Sequence, residues 1–184
     1  YKKIKQIFKN SENLHVNVHS GNIGFGSNAI HFLDLFTWLI DDNKIILDGK
    51  FLTNQIFSNK RGKDLVEFQG TILANNHSHY ISLNFSPYDE MPQTIDITGN
   101  NIRIQINETL ETISIIHGRT NNLDFKTEFQ STLTLKIMND ILKKDTSVLP
   151  SVQDSYFIHC ELFRIFNLHI KKILNKKLKL CPIT

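Results

Sequence analysis

The chain has 184 residues, a length that suits one domain or one domain with a small appendage. Hydrophobic residues make up 40% and charged residues 21%, which excludes a disordered chain, and two cysteines, Cys160 and Cys181, exclude a disulfide framework. The formal net charge of +3 comes largely from Lys171, Lys172, Lys176, Lys177 and Lys179 near one end, without the broad basic face and interleaved aromatics of a nucleic-acid binder.

Residues 2–9 (KKIKQIFK) have helical spacing, with Ile4, Ile7 and Phe8 on one side. Leu14, Val16 and Val18 alternate with His15, Asn17 and His19, which is strand periodicity. The glycine-rich turn GNIGFG (21–26) follows, and Ser27 or Asn28 is placed to cap a helix over 28–41. The period then changes. Short alternating runs at 45–57, 64–74, 77–86, 93–98, 101–107, 111–117 and 122–129 predict six or seven strands, separated by Asn- and Gly-containing turns. TGNN between two such runs is a hairpin signal. Helical spacing returns at 131–144, with Leu133, Ile137, Met138 and Ile141 on one side. LPSVQD then restarts a long helix to about residue 178, striped by Ile158, Leu162, Ile165, Phe166, Ile170, Ile173 and Leu174. The tail KLKLCPIT reads as extended. This order predicts an α+β fold: one large, mostly antiparallel open sheet with helices packed on one face. No run reaches the ~18 apolar residues of a membrane span, and the opening has no signal-peptide core.

Several residues invite chemistry. GNIGFG sits between a strand and a helix, where a phosphate loop belongs, but its spacing is GxxGxG, it has no lysine, and no parallel βαβ unit follows. Ser27, His31, Asp34 and Trp38 form one helical stripe, set among Ile30, Phe32, Leu33, Phe36, Leu39 and Ile40. An imidazole with a carboxylate one turn away can be held in one tautomer and kept basic. That pair suits a proton acceptor or a partner for a sugar hydroxyl, and equally a satisfied core pair. His77 and His79 share a strand face but have no acidic or cysteine ligand nearby, so no metal site is expected. His159 and His169 fall off the best apolar stripe of the last helix. No GxSxG occurs, and Cys160 has no triad partner.

The run GNIGFGSNAIHFLDLFTWL resembles the Gfo/Idh/MocA family of NAD(P)-dependent oxidoreductases, in which a strand and loop lead into a helix patterned HxxDxxxWL at the start of the C-terminal domain. His31, Asp34, Trp38 and Leu39 carry that pattern here, and LPSVQDSYFIHCELFRIF resembles the family's closing loop and helix. The resemblance spans about residues 10–175. It implies a dihydrodipicolinate-reductase-like C-terminal domain over residues 1–184, with 1–10 a connecting helix and 179–184 an extended tail. It implies His31 as the catalytic proton acceptor, and Ser27, Asn28, Asp34, His19 and Asn22, with Asn17 beside them, as substrate contacts. It also implies NAD or NADP in a longer protein, with no strong binding by this chain, because the Rossmann domain and its EKP lysine are not in it. A sugar-type substrate, a homodimer or homotetramer through the open sheet face and a cytoplasmic setting follow from the same likeness. One departure stands out: where the family often has DxxxH, position 27 is serine, which can hydrogen-bond a hydroxyl but brings no charge. The lack of an initiator Met fits a C-terminal piece of a dehydrogenase, inactive alone; the alternative is a non-enzymatic α+β binding or assembly module.

Overall fold

Asn100 and Asn101 both take positive φ, 50° and 59°, the left-handed backbone that a two-residue hairpin turn requires and that asparagine tolerates. They join β7 (Thr94–Gly99) to β8 (Ile102–Asn107), so the TGNN signal is a tight antiparallel hairpin. This is a computed structural model; it describes all residues except 22, 60, 87–89, 125–129, 145–148, 177 and 184. Around that hairpin the remaining strands are β1 (His15–Gly21), β2 (Ile46–Leu52), β3 (Phe57–Asn59), β4 (Gly62–Glu67), β5 (Gly70–Asn76), β6 (His79–Ser86), β9 (Thr112–His117) and β10 (Arg119–Asp124). The helices are α1 (Lys2–Phe8), α2 (Phe25–Ile40), α3 (Gln130–Lys144) and α4 (Val152–Leu174).

Among the described residues, eight strands form one sheet in the order β10-β9-β8-β7-β1-β6-β5-β2, and β3 and β4 form a separate pair. The α+β, mostly antiparallel architecture is therefore as expected, with three differences. First, β1 lies between β6 and β7 and pairs with β6 in parallel, so the sheet is not a simple meander. Second, the run 64–74 is two strands, β4 and β5, in different sheets. Buried Phe68 faces the core between them, and Gly70, at φ 111°, turns the chain where a Cβ would sit 2.5 Å from the Phe51 carbonyl. Third, the run 122–129 is β10 as far as Asp124, and 125–129 lie outside the described residues.

Strand alternation sorts the side chains cleanly. Val16, Val18, Ile81, Leu83, Phe85, Ile95, Ile97, Ile104 and Ile106 are buried on one face, under α1, α2 and α4. Phe85 stacks on Phe25 of α2 at 4.2 Å and meets Phe32 edge-on at 5.8 Å, which seats α2 on the middle of the sheet. Phe166 of α4 stacks on Phe68 at 4.3 Å. Truncating one such buried ring to alanine costs about 3–5 kcal/mol. The other face is polar, with Asn17, His19, Ser82, Asn84, Thr71 and Asp96 half-buried along it.

α4 starts at a capping box: the Ser151 hydroxyl accepts from the Asp154 N–H at 3.1 Å, and the Asp154 carboxylate accepts from the Ser151 N–H at 3.1 Å. The expected stripe on α4 is buried from Ile158 to Ile170, but Leu174 is exposed and His169, expected off the stripe, is buried against Phe68. The stripe on α3 is not core. Leu133, Met138 and Ile141 stay exposed, and no described strand or helix packs closely on them. The described residues after α4 have no regular secondary structure. They are tied down by a bond from the Val66 N–H to the Pro182 carbonyl at 2.7 Å, and Ile183 packs on the core.

Candidate functional site

α2 begins at Phe25, three residues before the expected start at residue 28, so neither Ser27 nor Asn28 is its cap. Its N-cap is Gly24, whose side-chain-free backbone offers no cap of its own. The cap comes from 41 residues away: the Glu67 carboxylate, at the end of β4, accepts the Gly26 N–H at 2.7 Å. The Ser27 hydroxyl donates to the same carboxylate, and the Asn59 amide donates to it at 2.6 Å and to the Ser27 oxygen at 3.0 Å. The glycines of GNIGFG fit this arrangement. A Cβ on Gly24 would lie 2.0 Å from the Glu67 carboxylate, and one on Gly26 would lie 2.7 Å from the Val66 carbonyl. The loop thus makes room for the protein's own carboxylate, and the anion-attracting N-terminus of α2 is already occupied.

One turn on, His31 is exposed and lines a cleft of about 300 Å³. Asn28 lines it too, giving one amide hydrogen to the Gly24 carbonyl at 3.0 Å. Phe32, Leu35 and Ile95 form an apolar floor. Tyr1, Gln93 and Glu108 form the opposite wall, in which Glu108 accepts the Tyr1 hydroxyl at 2.6 Å and the Gln93 amide on its other oxygen. Burial and the neighbouring Glu108 carboxylate push the Tyr1 phenol well above its ordinary pKa, so it stays a donor. Asp34 is half-buried, within the electrostatic reach of His159 of α4 and of His31. Burial raises its carboxyl above the usual carboxylate range, and the imidazoles of His159 and His31 pull it part of the way back.

The expected site residues therefore divide. His31 and Asn28 line the cleft, while Asp34, one turn on from His31 along α2, does not. Ser27 is committed to Glu67 and Asn59. His19 lies across the sheet from His31, on the polar face, with its Nε2 2.9 Å from the Asn17 amide; that asparagine accepts from Asn84, also at 2.9 Å. Asn22 lies outside the described residues. Sequence reasoning missed Gln93, Glu108, Glu67 and Asn59. A signal for the first two exists in the hairpin: Thr94 pairs with Asn107, so Gln93 and Glu108 are the next residues in that register and fall on the face of Ile95 and Ile106. Glu67 and Asn59 carried no local signal. His15, His77 and His79 gather where the interior strands β1 and β6 begin, but among the described residues no group of three His, Cys, Asp or Glu is placed to hold a metal ion. No helix among them is long and apolar enough to cross a membrane.

The sequence matches no protein-family model and no curated protein. Solved structures do share the fold. UDP-N-acetylglucosamine 3-dehydrogenase GnnA from Acidithiobacillus ferrooxidans superposes with a TM-score of 0.62 at 14% identity, over 94% of this chain and 58% of that one. The dehydrogenase MviM from Clostridium difficile gives 0.58 at 14%, over 96% and 58%. A variant of KijD10, a 3-ketoreductase from Actinomadura kijaniata solved with TDP-benzene and NADP, gives 0.63 at 7%, over 88% and 55%. At these identities the likeness is one of fold. The chain spans a little over half the length of each of these proteins.

Proposed function

We propose that this chain is the substrate-binding domain of a nicotinamide-dependent oxidoreductase acting on a sugar or sugar derivative. The observation that carries the reading is His31: an exposed imidazole, at the edge of a ring-sized cleft with an apolar floor and polar walls, one helical turn from a half-buried carboxylate. In that role His31 takes the proton from a sugar hydroxyl while hydride leaves the same carbon for the nicotinamide, and Asp34 orients the ring. Asn28 holds a neighbouring hydroxyl. The fold shared with a sugar-nucleotide dehydrogenase and a 3-ketoreductase supports the choice of reaction, and the NADP in the KijD10 complex supports the choice of cofactor.

NAD or NADP binds, on this reading, to a Rossmann domain in a longer protein, and the chain alone turns nothing over. The polar face carrying His19, Asn17 and Asn84 is where subunits meet in a homodimer or homotetramer, and the setting is cytoplasmic. The first experiment is the intact mass and N-terminal sequence of the native gene product. A product about 120 residues longer, opening with a glycine-rich strand–turn–helix, is the expected result. A native product beginning near Tyr1 would sink the oxidoreductase reading and favour a non-enzymatic binding or assembly module, for which Ser27 in place of an acid and bonded to Glu67 already speaks. In the longer protein, His31→Ala lowers turnover by about 10²-fold or more with stability unchanged.

A further inference from the structure

We propose that the cleft beside His31 is an acceptor-lined subsite that takes the uncharged or amino-bearing ring of a sugar and rejects carboxylate and phosphate groups. The inference rests on the sugar reading above and narrows it. It starts from the Glu108 wall. Each oxygen of that carboxylate takes one hydrogen, from Tyr1 and from Gln93, and a carboxylate has room for about four. Its remaining lone pairs accept from ligand hydroxyls or an ammonium. Across the cleft, one of the two Asn28 amide hydrogens goes to Gly24, and its carbonyl oxygen is a further acceptor with no partner among the described residues.

A second observation points the same way from a different place. The N-terminus of α2, next to Asn28, is the natural position for a phosphate, and Glu67 fills it. An anionic group entering near Asn28 therefore meets carboxylates on both sides. Among the described residues no lysine or arginine lines the cleft to offset them; Lys2 and Lys3 follow Tyr1 but do not reach its lining. The apolar floor of Phe32, Leu35 and Ile95 suits the C–H face of a ring. In a nucleotide sugar, the sugar ring occupies this cleft and the pyrophosphate lies outside it.

The test is a proton–nitrogen NMR titration of the chain with glucosamine, N-acetylglucosamine and glucuronate, followed at the side-chain amides of Asn28 and Gln93. The N-terminus is acetylated so that Tyr1 brings no ammonium to the cleft. Both amino sugars shift these signals, and glucuronate binds about tenfold more weakly or worse. Glu108→Gln closes the gap between glucosamine and glucuronate to about twofold, and Glu108→Asp restores it. Glucuronate binding as tightly as glucosamine, or a gap unchanged in E108Q, overturns the proposal. If E108Q disturbs the backbone spectrum, a salt series on the unaltered chain decides: the gap must close toward about 1 M salt. A gap that salt leaves alone overturns the charge rule. Binding of no sugar at all overturns the subsite, while the oxidoreductase reading stands or falls separately on His31→Ala in the longer protein.

Discussion

The Glu67 carboxylate accepts the Gly26 backbone N–H at 2.7 Å, which joins the end of β4 to the first turn of α2 across 41 residues. The bond satisfies an orphan helix donor, places a negative charge at the positive end of the helix dipole, and anchors Ser27 and Asn59 as well. Glu67→Ala removes the carboxylate that Gly26, Ser27 and Asn59 share and should lower stability by about 1–3 kcal/mol, read from urea unfolding midpoints. Gly24→Ala should do comparable harm for a different reason, since its new Cβ meets the same carboxylate. An unchanged midpoint in both variants would mean that α2 is held by its aromatic face alone.

That bond also marks the limit of what the sequence discloses. The apolar periodicity of α2 was legible because it is local: Phe32, Leu33, Phe36 and Leu39 repeat at helical spacing and all are buried. The start of the helix was not legible, because its cap comes from another sheet. The hairpin at Asn100 and Asn101 was legible because turn chemistry is local. The parallel pairing of β1 with β6 was not, because partners 65 residues apart, such as His15 and Tyr80, carry no mark of their pairing. The site follows the same rule. His31, Asp34 and Asn28 share one helix and were found together. Glu108 reaches them through the register of a hairpin, and His19, a few residues before the helix, was grouped with them although β1 points it to the opposite face.

Asp34 gives a prediction about pH. Its folded carboxyl holds its proton more tightly than an unfolded one, because burial penalises the charge more than His159 and His31 relieve it. The native state therefore gains stability as pH falls toward the ordinary carboxylate range, and carries the penalty of a buried charge above the raised value. Asp34→Asn should raise the melting temperature at pH 7, and the gain should shrink steadily toward about pH 4. A variant melting below the parent at pH 7 would mean that the attraction to the two imidazoles outweighs burial.

His79 titrates with the opposite consequence. Its Nδ1 accepts the Leu14 N–H at 3.0 Å, where β1 begins its parallel pairing with β6, and a protonated Nδ1 has no lone pair to offer. Burial, with His77 and His15 nearby, lowers its pKa below the usual value. An unfolded ring thus binds a proton at a pH where the folded ring does not, and stability is lost as pH falls through about 6.5. His79→Asn keeps an acceptor near the same place without a titrating group. Its unfolding midpoint should change less between about pH 7 and pH 5 than that of the parent; an equal loss would place the acid sensitivity elsewhere.

The last prediction concerns how α1 is held. The Lys5 ammonium lies 4.6 Å from the centre of the Trp38 ring, donates to the Trp38 carbonyl at 2.5 Å and pairs with Asp41 just past the end of α2. Three favourable contacts meet on one cation. Two of them complete the C-terminus of α2, where carbonyls lack partners and positive charge is welcome. Asp41 itself sits at φ 55°, a left-handed cap that leaves its side chain exposed, so the pair alone contributes little. The weight therefore falls on the Trp38 contacts and on Ile4 and Phe8, which are buried beneath α1. Trp38 is the single tryptophan, so its emission reports on this junction without interference. Lys5→Met keeps the aliphatic stem over the ring and removes the charge; it should shift the emission while lowering stability by about 0.5–1 kcal/mol. Lys5→Ala removes both and should shift the emission further to the red as the ring gains water. Emission unchanged in both variants would show that Lys5 does not shield the tryptophan in solution and that α1 is held by Ile4 and Phe8 alone.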